Sequence, residues 1–440
     1  MNKQFENIIV AGAGGKMGRG ISLLLLQMMG AMQAQDLHNS SFKLYLYEIE
    51  EKRHSALKTY LEEQIQRYAE KEINKLRQWF INEDHLISNR EIVDAFVEKC
   101  LEICHFTTQI NFSINSALVF EAIAEDIDIK IKFFKELEVQ TNKQFYYFTN
   151  TSSIPIAFLS EKAQIKGKIV GFHFYNPPPL QKLVEIIIPK NTDPQLVSLA
   201  EILGELLNKH LVPSNDIAGF IGNGFMVRQI AYACSLVNEL PGKTDDKIWM
   251  IDTVSRDYLL RPMGIFQLID YVGINICHQI CIIMEAFLPQ GKFLPLLIEQ
   301  MDQEGVLGGQ DMQGKQKNGF FAYQQDKIVA VYNPETGDYI PLENNKIQLL
   351  QKNLGERTQN LTWKQLLKNK KKNELIQNYF KELMSQKNLG ADIVRKILHH
   401  EKEIISNLVE SGVAQNIKDV NDVLRDGFYH LYTLSEVGVQ

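Results

Sequence analysis

The chain lacks an excess of basic charge: 47 lysines and arginines stand against 53 aspartates and glutamates, a net charge of -6 over 440 residues. Phosphate backbones need a basic field, so nucleic acid is not expected as a main partner. Cysteine is scarce and odd in number, five residues in all. Cys100 and Cys104, like Cys277 and Cys281, are spaced to stack on one helix face, but no CxxC or nearby histidine completes a ligand set, so no metal is expected. Small buried thiols in a reducing cytoplasm are the expectation instead. No long apolar run is present either. The longest, over residues 21–32, is broken by Gln27 and too short to cross a bilayer, so no membrane insertion is expected. The opening MNKQFENIIVAGAG moves directly into a strand and a glycine loop, without the basic, apolar and cleavage regions of an export signal. A cytoplasmic protein of roughly two to four domains is expected, with an ordinary 45% of apolar residues to fill its core.

What is present is organised around residues 168–189, KIVGFHFYNPPPLQKLVEIIIP. Residues 168–174 and 182–188 are β-branched and aromatic, and Asn176-Pro177-Pro178-Pro179 reads as a rigid turn between two strands. Strands joined in this way can bring His173 and Glu185 together at one end of a sheet. A carboxylate hydrogen-bonded to an imidazole fixes its tautomer and raises its basicity, which suits a general base near neutral pH. The competing reading is a histidine satisfied within a core strand.

Residues 5–11 form a strand, followed by GAGGKMGRG and a helical run. Strand, glycine loop and helix in that order make a pyrophosphate site, with Gly12, Gly14, Gly15, Lys16, Met17 and Gly18 as its cradle. The spacing is irregular: either the loop has one extra residue, or Ala13 occupies the first glycine slot. KLYLYEI, residues 43–49, is a second strand ending at Glu48, whose carboxylate would accept ribose hydroxyls and favour NAD over NADP. Glu48 lies 30 residues beyond Gly18, against about 20 in the usual fingerprint, and the polar insert at residues 33–42 accounts for the excess as a surface loop. Alternatively, Glu48 is an ordinary first-turn helix residue.

Residues 50–104 read as a long helical arm. Strands at 117–123 and 144–149 enclose the helix IDIKIKFFKELEVQ, and this alternation specifies a parallel, doubly wound sheet with ligands at the strand C-termini. EAIAED, residues 121–126, and Asn150-Thr151-Ser152-Ser153 sit at such ends. The latter group is either a set of helix caps or a set of donors for a substrate oxygen. A helix at 193–209 and a strand at 210–214 close the first domain, with a boundary near 213–219. Beyond it the pattern is helical at 220–238, 245–258 and 265–288, then glycine-rich at 305–323, with a hairpin at 327–342. IDTVSRDY (251–258) and VNDVLRDG (420–427) share hydrophobic and charged positions, through either an internal repeat or chance. KNKKKN, residues 368–373, reads as a solvated turn.

With the glycine loop, EAIAED, NTSS, GFHFYNPPPLQKLVE, GFIGN and RPMGIFQLIDYVG in this order over residues 8–323, the chain resembles the L-3-hydroxyacyl-CoA dehydrogenases of fatty-acid β-oxidation. The resemblance implies a Rossmann-like, mostly parallel sheet with its helical arm over residues 1–213, a helical C-terminal domain over 214–344, and a smaller helical unit over 345–440, a degenerate second copy of that domain. It implies NAD as cofactor and an acyl-CoA substrate. His173 would remove the 3-hydroxyl proton, Glu185 would orient it, and Ser152 and Asn223 would bond the substrate oxygen. Glu125 and Lys130 would lie on the cofactor and Asn176 beside the nicotinamide. A homodimer through the helical domain is the expected assembly. The chain departs from the pattern at Gly224, where the family has arginine, at Ile265 in place of a second proline, and at HLYTLSE in place of a Gly-Pro-Phe turn. A reductase for short 3-hydroxybutyryl-CoA or acetoacetyl-CoA, and a non-catalytic dinucleotide-binding relative, are the alternatives.

Overall fold

The computed structural model describes residues 5–35, 42–110, 116–140, 144–311, 314–325, 327–357 and 359–439. It divides into two compact units, Met1–Asp216 and Ile217–Gln440. Most of the polar insert expected at 33–42 lies outside the described residues, although its first three residues close a helix.

Eight strands form the sheet of the first unit: β1 (Asn7–Ala11), β2 (Lys43–Tyr47), β3 (Cys104–Thr107), β4 (Ser116–Glu121), β5 (Gln144–Thr149), β6 (Ile169–Phe174), β7 (Leu183–Ile187) and β8 (His210–Pro213). Their order is β3-β2-β1-β4-β5-β6-β7-β8. Every neighbouring pair is parallel except β6 and β7. Every residue of β6 and β7 is buried, as near-continuous apolar runs require in a sheet covered on both faces. The order reverses between β1 and β4, the switch point at which such sheets open a crevice beyond their strand C-termini.

Helix α1 (Lys16–Gln35) follows β1 and is buried along most of its apolar length, so it acts as a core helix rather than an amphipathic one. The arm is three helices, α2 (Lys52–Lys71), α3 (Ile73–Trp79) and α4 (Asn89–Ile103). Leu57, Leu61, Ile65 and Ala69 form the buried stripe of α2, and Ser88 with Glu91 closes a capping box on α4. Cys104 begins β3 instead of completing a helix face with Cys100. Cys100 fills the space over Gly30, where a side chain on α1 would collide with its sulfur. Burial pushes the Cys104 thiol up to about 12, and all five cysteines are unbridged. Among the described residues no group of side chains could hold a metal. Helices α5 (Ile127–Gln140), α6 (Ile156–Ala163) and α7 (Pro194–Leu206) complete the unit.

The second unit begins with α8 (Gly222–Glu239), α9 (Thr244–Thr253) and a short π-helix at Val254–Tyr258. The run expected as one helix over 265–288 is broken into α10 (Ile265–Val272) and α11 (Ile274–Phe287), bent by 91°. The cause is Gly273, whose φ of 110° no helix accommodates, and the amide of Ile274 turns instead to the Leu307 carbonyl at 2.8 Å. No single described helix is long and apolar enough to cross a membrane. After α12 (Leu296–Gln303), the strands β9 (Phe321–Gln324), β10 (Lys327–Asn333) and β11 (Asp338–Pro341) form a three-stranded antiparallel sheet, one strand more than the expected hairpin. Buried Asp270 fastens β9 through the amides of Phe320 at 2.6 Å and Phe321 at 2.9 Å.

Helices α13 (Asn344–Leu354), α14 (Trp363–Leu367), α15 (Lys372–Ser385), α16 (Leu389–Glu410) and α17 (Ile417–Gly427) follow. Leu350, Tyr379, Val394 and Leu398 join the same buried core as Ile251, Phe266 and Ile298. The segments 251–258 and 420–427 each carry an ion pair between neighbouring residues, Arg256 to Asp257 at 2.9 Å and Arg425 to Asp426 at 3.1 Å. HLYTLSE ends in a short 3-10 turn, and its Tyr432 hydroxyl donates to the Leu259 carbonyl at 2.8 Å. Arg261 and Glu401, both buried, form an ion pair across this core, and Gln229 also donates to Glu401. Removing one partner of a buried pair leaves the other uncompensated, so Arg261→Met should cost about 3–5 kcal/mol in urea unfolding. The double variant with Glu401→Leu should recover most of that loss.

Candidate active site

The C-terminal ends of β1, β2, β4, β5 and β6 share one edge of the sheet. At β1 the chain turns through Gly12, whose φ is 76°, and a Cβ there would lie 2.5 Å from the Ala122 carbonyl. Gly18, on the first turn of α1, lets the helix close onto Gly12 and Ala13, where no side chain has room. Gly12 therefore makes the tight turn and Gly18 the close helix approach, which resolves the irregular spacing as one extra residue in the loop. Lys16 opens the helix and Met17 follows it. Burial, and then the charge of Arg19, bring Lys16 down to about 8.

Glu48 stands just past β2 and four residues before α2, so it is not a first-turn helix residue. It is buried, and its Oε2 accepts the Gly14 amide at 3.1 Å, while Arg53 approaches to 3.9 Å. At Gly14 a Cβ would meet that carboxylate at 2.7 Å, and a Cβ on Gly15 would lie 3.2 Å from the Gly12 carbonyl. A loop with no room for side chains, a helix N-terminus behind it and a carboxylate beside it fit a dinucleotide.

Past β4 and β5, the carboxylates of EAIAED organise the hydroxyls of NTSS. Glu125 Oε1 accepts the Thr151 hydroxyl at 2.7 Å, the Ser152 amide at 2.8 Å, the Ser152 hydroxyl at 3.3 Å and the Ser153 amide at 3.2 Å. These residues are not helix caps: the first amides of α6, at Ile156 and Ala157, donate to Asp216 at 2.5 and 2.6 Å. Lys130 is fully buried, with its ammonium 2.5 Å from Glu121 and 3.2 Å from Glu125. Its ammonium is thus engaged by these two carboxylates, and Glu125 carries its charge to the hydroxyls and amides of Thr151, Ser152 and Ser153. Burial opposes the charge on Glu125, but Lys130 and the donors from Thr151 and Ser152 hold it below its ordinary value of 4.5.

His173 and Glu185 are register partners across the antiparallel β6–β7 step, with His173 Nδ1 and Glu185 Oε1 3.1 Å apart. Both side chains are buried, His173 with 10% of its surface exposed and Glu185 with none. Tyr175, which the sequence reading passed over, donates its hydroxyl to the same Oε1 at 2.7 Å, and its ring lies 5.0 Å from that of His173. Burial, and then the Glu185 charge, push the Tyr175 phenol well above its ordinary value, so it stays a donor. Asn150 Oδ1 accepts the Phe174 amide at 2.8 Å and ties NTSS to the strand of His173.

The proline turn is held from below. Lys209 donates to the carbonyls of Pro178 and Gln181 at 2.7 and 2.6 Å, and its burial lowers it to about 8. The Asn176 carbonyl accepts Gln181 Nε2 at 3.4 Å, and the Asn176-Pro177 bond is cis. Gly20 of α1 leaves room for Pro178, which a Cβ would meet at 2.9 Å, so the turn after His173 packs on the helix that leaves the glycine loop. No sequence signal marks Lys209, because its work is done on carbonyls about thirty residues away. Asn223 is buried in the first turn of α8, in the second unit. Where an arginine is expected after it, Gly224 stands, and Arg228 one turn on donates to the Gly224 carbonyl at 2.7 Å.

Comparison with known proteins places these elements in a family. The family model described as 3-hydroxyacyl-CoA dehydrogenase, NAD binding domain, matches residues 7–217, and its C-terminal domain counterpart matches 219–322. A probable 3-hydroxybutyryl-CoA dehydrogenase of Deinococcus radiodurans is 31% identical over 227 residues, 51% of this chain and 78% of that protein. One from Bacillus subtilis is 28% identical over 323 residues, 73% of this chain and 99% of that protein. The crystal structure of 3-hydroxybutyryl-CoA dehydrogenase from Escherichia coli K12 shares the fold with a TM-score of 0.64 at 19% identity, covering 98% of this chain and 90% of its own. That likeness in fold runs through α13 to α17, beyond the end of the matched family models.

Lys130→Met would leave fully buried Glu121 and half-buried Glu125 without the cation that offsets their desolvation. It should cost about 3–5 kcal/mol at pH 7.5 in chemical denaturation. In the wild-type chain the contribution of Glu125 is complete above 4.5 and is lost as pH falls through its lowered value. In the variant the uncompensated carboxylate is relieved by protonation, so the deficit should shrink at pH 5.

Proposed function

The chain belongs to the 3-hydroxyacyl-CoA dehydrogenase family, and from that premise we propose that it oxidises L-3-hydroxyacyl-CoA to 3-oxoacyl-CoA, reversibly, in fatty-acid β-oxidation. It is an NAD-dependent oxidoreductase. Bound NAD supplies the hydride acceptor. The observation that carries the proposal is the His173–Glu185 pair at the C-terminal edge of the sheet.

With its Nδ1 proton donated to Glu185, His173 has Nε2 as its basic nitrogen, the one that takes the 3-hydroxyl proton. Glu185 fixes the ring and stabilises the imidazolium once the proton has moved. Ser152 and Asn223 are assigned the hydrogen bonds to the substrate oxygen, and Asn176 a place beside the nicotinamide. Glu125, set by Lys130, orients Ser152 from behind. Glu48 beside Gly14 supports a preference for NAD, since a 2'-phosphate would meet a carboxylate there.

The five unbridged thiols support a reducing compartment, which the proposal takes to be the cytoplasm. Ile276 and Ile282, exposed on α11 at 41% and 50%, support a homodimer through the helical unit. A short-chain reductase working in the opposite direction would use the same base as an acid.

His173→Gln should lower turnover of 3-hydroxyacyl-CoA by about 100-fold to 10,000-fold while NAD still binds by calorimetry. Near-full activity in that variant would remove His173 from the chemistry. Glu185→Gln should lose less. Substrates of graded acyl length, assayed with NAD and NADP, would set the chain-length range and the cofactor preference. Tyr175→Phe removes a donor that draws charge from Glu185, leaving the carboxylate a stronger partner for the imidazolium. The acid limb of its kcat/KM profile should therefore move to higher pH, with KM for NAD unchanged.

A further inference from the structure

A cavity of about 920 Å³ opens in the second unit between α8, residues 287–293 and α16. That volume lies in the range of about 300–1,000 Å³ typical of small-molecule sites. Nothing in the reaction proposed above uses it.

The charge inside it is unusual. Arg228, on the α8 wall, lays its guanidinium over the Phe293 ring, 5.0 Å from the centroid, and gives one N–H to the Gly224 carbonyl. Among the described residues no carboxylate forms an ion pair with it. A guanidinium does not shed its proton at any physiological pH. A half-buried one lacking a counter-charge therefore carries an unrelieved desolvation cost, and burial accordingly lowers Arg228 from its ordinary value.

The walls around it are apolar and already ordered. Glu285 fixes the far side by accepting the amides of Phe293 at 2.7 Å and Leu294 at 2.9 Å. Tyr232 and His400 stack face to face, with centroids 3.9 Å apart and planes 18° apart, and Phe287 and Ile404 add hydrocarbon. One acid faces the space, Glu403, and it is 3.2 Å from His400 Nδ1. The other cation, Lys292, is exposed to solvent.

We propose that this cavity binds a monocarboxylate carried on a hydrocarbon body, with Arg228 receiving the carboxylate and the aromatic wall the chain. One unmatched guanidinium calls for one negative charge. Glu403 on the same wall disfavours a phosphate cluster, and the rings and Ile404 reward apolar area at roughly 25 cal/mol per Å². All of its residues belong to the second unit, whereas the His173–Glu185 pair belongs to the first.

Decanoate titrated calorimetrically into the full chain, with decanol and inorganic phosphate as parallel titrants, tests this directly. Decanoate should bind saturably with one site per chain and keep binding when NAD is saturating. Decanol should bind at least tenfold more weakly, and phosphate should not bind. Arg228→Met, which keeps packing on Phe293 but removes the charge, should weaken decanoate at least tenfold. Ala231→Trp, which fills the cavity from its half-buried wall, should abolish binding. Thermal unfolding confirms that each variant is folded, and if Arg228→Met is not, Ala231→Trp decides alone. No saturable decanoate binding, unchanged affinity in a folded variant, displacement by NAD, or phosphate binding as tight as decanoate would each overturn the proposal.

Discussion

The structure of the first unit depends on one break in an otherwise parallel sheet. Reversing direction at β6–β7 places residues 173 and 185 directly opposite each other, so a histidine and a carboxylate on neighbouring strands share one hydrogen bond. A parallel connection would have needed a long crossover and a slanted ladder. The proline turn supplies the short connection, Lys209 holds it from below, and Gly20 lets α1 pack against it. His173, Glu185 and the helix that leaves the glycine loop are thereby one rigid construction.

Around that pair, charge is handled in layers. Glu185 is fully buried and serves two donors, His173 and Tyr175, on a single oxygen. Beyond the end of β4, two strands from β6, Lys130 is buried between Glu121 and Glu125, and Glu125 in turn gathers Thr151, Ser152 and Ser153. Buried ions are costly singly and tolerable in hydrogen-bonded sets, and here each set ends on a residue at the open edge of the sheet. Positioning by such sets is how a scaffold holds a reactive geometry while the cofactor carries the redox chemistry.

Much of this was legible in the sequence because the signals are local. The strands around His173 and Glu185, the glycine loop and the helix at residues 127–140 show in runs of a few residues with clear periodicity. What escaped depends on contacts distant along the chain. β3 is four residues long and carries no alternation of its own, and Cys104 belongs to it only because β2 lies alongside. Gly273 reads as a tolerated helix glycine until its positive φ shows it to be a corner. Whether NTSS capped a helix was decided by Asp216, more than sixty residues on. Tyr175 sat inside the most informative motif of the chain, and its role was invisible because a tyrosine in an apolar strand reads first as packing.

The central claim is that Glu185 sets the tautomer of His173 and leaves Nε2 as the base. Nitrogen-15 NMR of the labelled histidine ring, followed through a pH titration, tests it most directly. The account predicts a neutral ring that carries its proton on Nδ1 and loses that preference in Glu185→Gln. A neutral ring protonated on Nε2 in the unaltered protein would contradict it.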